Sequence, residues 1–155
     1  MTSTVYQEAL NAYAMFAAAL CVLLICIDAF GGVLRTQSKS TPNAEDLGTL
    51  AVGKDAVVKE SDPGGVARVM RAHRNALSSI VPFLIVMLIY VLLGASERWV
   101  VALCGVFTTV RVIHAFVYLR GLQYLSLRTL SFVIGQLCIA IAAIQVFRIA
   151  LLSGM

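Results

Sequence analysis

RVMRAHRNALSSIVPF, residues 68–83, runs straight into LIVMLIYVLLG, residues 84–94. Nothing between them signals a turn. One helix is written here, polar where it begins and wholly apolar beyond. Such a helix crosses an interface, with its first turns in water and the rest in lipid. The remainder of the chain agrees. Of 155 residues, 60% are hydrophobic and 13% charged, against about 45–50% apolar in a soluble domain. This composition predicts an all-α membrane protein.

A bilayer core of about 30 Å needs about 20 apolar residues per helix. Four stretches qualify, at about 8–34, 64–94, 97–121 and 127–153. They predict a four-transmembrane-helix bundle in a single domain, 1–155, with one long loop at 36–62. The first apolar stretch has no basic lead-in and no small-residue cleavage site, so it reads as a mature helix. Cys21, Cys26, Cys104 and Cys138 all fall inside predicted helices and form no CxxC pair. That spacing speaks against a zinc site and a disulfide oxidoreductase. No metal and no nucleic-acid partner are expected.

Charge placement sets the topology. The long loop and its flanks carry Arg35, Lys39, Lys54, Lys59, Arg68, Arg71 and Arg74, and the other loop on that side adds Arg120 and Arg128. The opposite side has Arg98. The positive-inside rule puts both basic loops in the cytoplasm and both termini outside. Ser61-Asp62-Pro63 reads as a helix start, with Asp62 as the cap and Pro63 in the first turn.

Deeper polar residues need a reason. Arg68, Arg71, Asn75 and Ser78 share one side of the second helix, with Arg74 a turn from Ser78. Arg111, His114 and Tyr118 form a line on the third. The fourth opens with Arg128, Thr129 and Ser131, with Gln136 two turns on from Thr129. Asp28 and Arg35 share a face of the first. Buried polar side chains can simply pair, Asp28 with Arg111 for example, and glue helices together. Here they converge from all four helices toward one end, which favours a site. Its sign is positive, so the ligand expected is anionic and water-soluble, meeting an apolar one from the membrane lipid. No Ser-His-Asp set, phosphate loop or carboxylate pair is present. His73 and His114 would satisfy a haem's ligand count, as any two histidines would, and nothing else supports one. Arginine and a hydroxyl suffice to stabilise a bound thiolate, since nearby cations lower a thiol's pKa.

Five stretches carry a resemblance: GGVLR with NAED (31–46), VARVMRAHRNALSSIVPF (66–83), LIYVLLG (88–94), RVIHAFVYL (111–119) and RTLSFVIGQ (128–136). Together they resemble the MAPEG family (membrane-associated proteins in eicosanoid and glutathione metabolism), in the branch of the glutathione transferases and prostaglandin E synthases. The resemblance implies a homotrimer with glutathione bound between subunits on the cytoplasmic side. It implies glutathione contacts from Arg35, Arg71, His73, Arg74, Asn75, Ser78, Arg111, His114, Tyr118 and Gln136. Arg128 would stabilise the thiolate and Thr129 would donate a hydrogen bond to it. Family acids are replaced by Ala67, Ala76 and Ser78, the last at a position that contacts glutathione. Asp28 is the acid expected to compensate. Phe132 stands where the prostaglandin synthase has tyrosine.

The expected function is a membrane glutathione transferase or peroxidase acting on a hydrophobic small molecule, in a bacterial inner membrane or the endoplasmic reticulum. The alternatives are a glutathione-dependent isomerase of an oxygenated lipid, and a non-catalytic scaffold.

Overall fold

The second helix, α2, spans Gly64–Leu92 and buries Val66, Val69, Ala72, Ala76, Ile80, Phe83, Met87 and Tyr90. That three- and four-residue spacing is the inward stripe of an amphipathic helix. The computed structural model describes residues 2–48, 55–58, 62–122 and 125–153. Three more helices complete the bundle: α1 (Thr2–Ser38), α3 (Glu97–Arg120) and α4 (Leu125–Ser153). All four contain stretches long and apolar enough to cross a membrane. At 37 residues, α1 measures about 56 Å, and the 29 residues of α2 measure about 44 Å. Both exceed a bilayer core, so their ends stand outside it.

The helices form a ring. α1 packs on α2 and α3, and α4 packs on the same two, with α2 and α3 also in contact across the middle. At the centre Phe83 and Phe107 stack with centroids 3.7 Å apart and planes 9° from parallel. Leu20, Ile27, Ile80, Met87, Val91, Val100 and Cys104 close around them with almost no exposure. Lipid is as apolar as these side chains, so close packing holds the bundle. Met15, Ile25, Ile85, Ile144 and Phe147 lie on its exposed outer faces.

The helix ends follow local chemistry. Gly121 closes α3 at φ 63, a left-handed conformation that costs glycine nothing. Gly94 does the same after α2, at φ 84. Pro82 lies inside α2 and cannot donate to the Ser78 carbonyl one turn back.

Two expectations fail at the loop. Asp62 does not cap α2: Pro63 occupies the cap position, and no side chain bonds the first turn. The Asp62 carboxylate turns to Arg35, with Oδ1 3.0 Å from Nη1 and Nη2 donating to Oδ2 at 3.3 Å. A full positive charge outbids the partial charges of a helix start. The segment read as plain loop also carries a short parallel pairing, Ser40–Thr41 (β1) with Val57–Val58 (β2). Lys39 adopts φ 47 to enter it, and the Val57 amide donates to the Lys39 carbonyl at 3.0 Å. Thr41 is buried beneath, and its hydroxyl accepts from the Asn43 amide at 3.2 Å.

The Phe83–Phe107 stack is the test of the core. Phe107→Ala should cost on the order of 3 kcal/mol through lost packing. Denaturant unfolding in detergent measures it, and a loss below about 0.5 kcal/mol would show the stack to be incidental.

Candidate functional site

His114, on the second turn from the end of α3, is buried at 6% exposure. Its Nδ1 lies 3.2 Å from the Arg128 carbonyl and 3.2 Å from the Ser131 hydroxyl of α4. The Ser131 hydroxyl donates its own proton to that same carbonyl at 3.0 Å. Both neighbours of Nδ1 are therefore acceptors, so Nδ1 carries the proton. Nε2 is then a bare acceptor, and it has no partner among the described residues. The Asn75 Oδ1 is a second buried acceptor without a partner.

Arg111 lies one turn before His114 and is 2% exposed. Its guanidinium carbon sits 5.2 Å from the Phe107 centroid and 5.7 Å from that of Phe132. Ring faces attract a cation, more so away from water. Nη2 donates to the Phe132 carbonyl at 3.4 Å, whereas Nε and Nη1 are buried without partners. Gly135 makes room for this group: a Cβ there would run into the Arg111 guanidinium.

Two cavities open beside these residues. One of about 290 Å³ is lined by Asn75, His114, Tyr118, Arg128, Thr129 and Phe132. The other, about 260 Å³, lies against Arg68, Arg71 and Arg128, with Val117, Leu122 and Gly121 completing it beside Tyr118. Arg128 and Tyr118 line both, and the Arg128 guanidinium carbon sits 5.3 Å from the Tyr118 ring centroid. Buried polar groups without partners cost free energy. Orphaned acceptors and guanidinium donors thus lie near the two cavities, which makes this the candidate site.

Of the residues singled out by sequence, the structure brings together Asn75, His114, Tyr118, Arg128 and Thr129 around the larger cavity and Arg71 at the smaller. The others lie elsewhere. Gln136 donates to the Ser79 hydroxyl at 3.5 Å and ties α4 to α2. Ser78 is exposed and spends its hydroxyl on the Asn75 carbonyl at 2.9 Å. His73 is half-buried, Arg74 is exposed, and neither lines the two cavities. Arg111 stands behind the cavity wall. Asp28 is exposed on α1. It does not pair with Arg111, whose hydrogen bond goes to Phe132, and the acid that reaches Arg35 is Asp62. Arg68, Phe132 and Gly135 were not singled out as site residues. The signal for Gly135 was available: a glycine in a helix interior marks a close approach.

A family model described as MAPEG family matches residues 12–148. The chain belongs to the MAPEG family. It is similar to the prostaglandin E synthase of Homo sapiens, 32% identical over 90% of this chain and 89% of that one. It is similar in the same degree to the prostaglandin E synthase of Equus caballus, 30% identical over 90% of this chain and 88% of that one. Microsomal glutathione S-transferase 1 of Homo sapiens is 29% identical, over 87% of this chain and 86% of its own length. A MAPEG chain with four such helices is an integral membrane protein, and the MAPEG relatives it resembles are enzymes by name.

The fit of Arg111 against Gly135 gives a paired test. Gly135→Ala should displace the guanidinium and cost about 2 kcal/mol or more, the scale of overpacking a core. Gly105→Ala, where the nearest foreign atom to a new Cβ is Phe16 Cζ at 3.8 Å, should be neutral or stabilising, as alanine is the better helix former. Equal effects in thermal unfolding would count against the account of Arg111.

Proposed function

We propose that the chain is a membrane glutathione transferase with peroxidase capacity, working as a homotrimer. The observation that carries this reading is the larger cavity, lined by Arg128 and Thr129 together with Asn75 and His114, two residues that each hold a buried acceptor without a partner among the described residues. A thiol near pKa 8.5 is mostly protonated at neutral pH, and an adjacent guanidinium shifts it toward the thiolate. Arg128 stabilises the sulfur anion, and Thr129 donates a hydrogen bond to it. Asn75 and His114 accept from the tripeptide's donors. Arg71 and Arg74 clamp its carboxylates. Tyr118 orients Arg128 by lying against it. Similarity to microsomal glutathione S-transferase 1 supports the same chemistry.

In conjugation, the sulfur lone pair forms a bond to an electrophilic carbon, and a leaving group departs with its electron pair. In peroxide reduction, the sulfur attacks the outer oxygen, the O–O bond breaks, and the alkoxide takes a proton to become the alcohol. A second glutathione thiol displaces water from the resulting sulfenic acid and gives the disulfide. The apolar substrate enters from the bilayer, and binding both reactants side by side supplies much of the acceleration. The basic loops support a cytoplasmic site with both termini outside.

A second reading is a glutathione-dependent isomerase of an oxygenated lipid, favoured by similarity to prostaglandin E synthases. A third is a non-catalytic scaffold, favoured by Ser78 turning its hydroxyl to its own helix.

Glutathione added to the purified protein should produce thiolate absorbance near 240 nm, and Arg128→Ala should abolish it. Turnover of an electrophile and a hydroperoxide then separates transferase from isomerase. No thiolate at millimolar glutathione would reject the catalytic readings together.

A further inference from the structure

Ser131, on α4, is 3% exposed and does not line the larger cavity. A hydroxyl at this depth costs free energy unless its bonds are made. They are made within one small cluster. The proton goes to the Arg128 carbonyl at 3.0 Å. The oxygen faces His114 Nδ1 at 3.2 Å, and the same Nδ1 faces the Arg128 carbonyl at 3.2 Å. One N–H of α3 is thus shared between two acceptors of α4. The cluster fixes the imidazole in two ways. A Ser131 hydroxyl turned toward Nδ1 would reverse the tautomer and leave Nε2 a donor. Its bond to the Arg128 carbonyl uses that proton, so Nε2 stays an acceptor. The second effect is aim: a single acceptor would let the ring pivot about its N–H, whereas two hold its plane. The neighbouring rings do not replace them. Tyr118 and Phe132 lie with centroids 5.9 and 6.3 Å away, tilted by 49° and 45°, and neither stacks on the imidazole.

His114 and Asn75 line the cavity together, and each holds a buried acceptor without a partner among the described residues. No carboxylate lines that cavity, and the Ser78 hydroxyl is spent on the Asn75 carbonyl. Paired neutral acceptors fit a ligand group with several N–H donors, and an ammonium carries three. We infer that Ser131 is the positioning residue that makes His114 a receptor for the ammonium of glutathione, and that it thereby selects thiol peptides carrying a free amino group. The inference rests on the glutathione reading above and adds to it a residue that acts through another.

The test compares glutathione with glutaryl-cysteinylglycine, the same peptide without its amino group, in titrations read by thiolate absorbance. Ser131→Ala should raise Kd for glutathione about fivefold, the scale of one hydrogen bond, and that for the glutaryl peptide by less than about twofold. Turnover of an electrophile at saturating glutathione should hold, because Arg128 and Thr129 are untouched. Ser131→Thr keeps the hydroxyl and should restore the wild-type Kd. In a His114→Ala background, Ser131→Ala should add nothing, as expected of two residues that act as one. The alanine leaves Nδ1 its bond to the Arg128 carbonyl, so the fold should survive. Should it not, Ser131→Cys, close in volume and a weaker hydrogen-bonding group, should show the same selectivity to a smaller degree. Equal losses for the two peptides, a fall in turnover at saturating glutathione, or losses that add to those of His114→Ala would overturn the inference and leave the glutathione reading standing. If wild type binds no glutathione, the proposed function fails and takes this inference with it.

Discussion

A guanidinium held between two phenyl rings organises the loop end of this bundle. A charge placed at the depth of Arg111 is costly in lipid, and the fold meets that cost with four separate contributions. Phe107 and Phe132 present their faces, the Phe132 carbonyl accepts one hydrogen bond, and Gly135 withholds a side chain. Each contact also has a second role. Phe107 is half of the central stack with Phe83, so the apolar core ends where the polar site begins. Phe132 is a wall of the larger cavity. His114, one turn after Arg111, joins α3 to α4 through the Arg128 carbonyl. A ligand bound at Arg128 therefore rests on a chain of contacts that leads to the centre of the bundle.

The parts legible in the sequence were those governed by periodicity and by the cost of burying charge. The inward stripe of α2 follows from residues three and four apart, and the polar start of that helix follows from the interface it crosses. His114, Tyr118, Arg128 and Thr129 were legible as site candidates because such residues are rare where lipid is the solvent. What was not legible depended on contacts through space. Asp62 has the sequence of a helix cap, and only the nearness of Arg35 across 27 positions diverts it. Arg68 looked like an interfacial cation until Gly121 placed its guanidinium over the end of α3. The pairing of Ser40–Thr41 with Val57–Val58 is two residues long on each side, too short for any alternation to announce it.

Three of the departures expected from the family resemblance act in one direction: each removes a negative charge. Ala67, Ala76 and Ser78 stand where acids are expected, and the ion pairs among the described residues, Arg35–Asp62 and Lys39–Asp55, both lie at the loop. The cavities are left with arginine and neutral acceptors. On the proposed reading this has opposing consequences for glutathione. Its ammonium loses a charged partner and must rely on Asn75 Oδ1 and His114 Nε2, which are neutral and bind it less strongly. Its thiolate gains, because an acid removed from the site no longer opposes Arg128. Such a site trades ground-state affinity for a larger share of the reactive anion, and only the second contributes to the chemical step. On that reading, serine in place of an acid at position 78 is compatible with catalysis on electrostatic grounds.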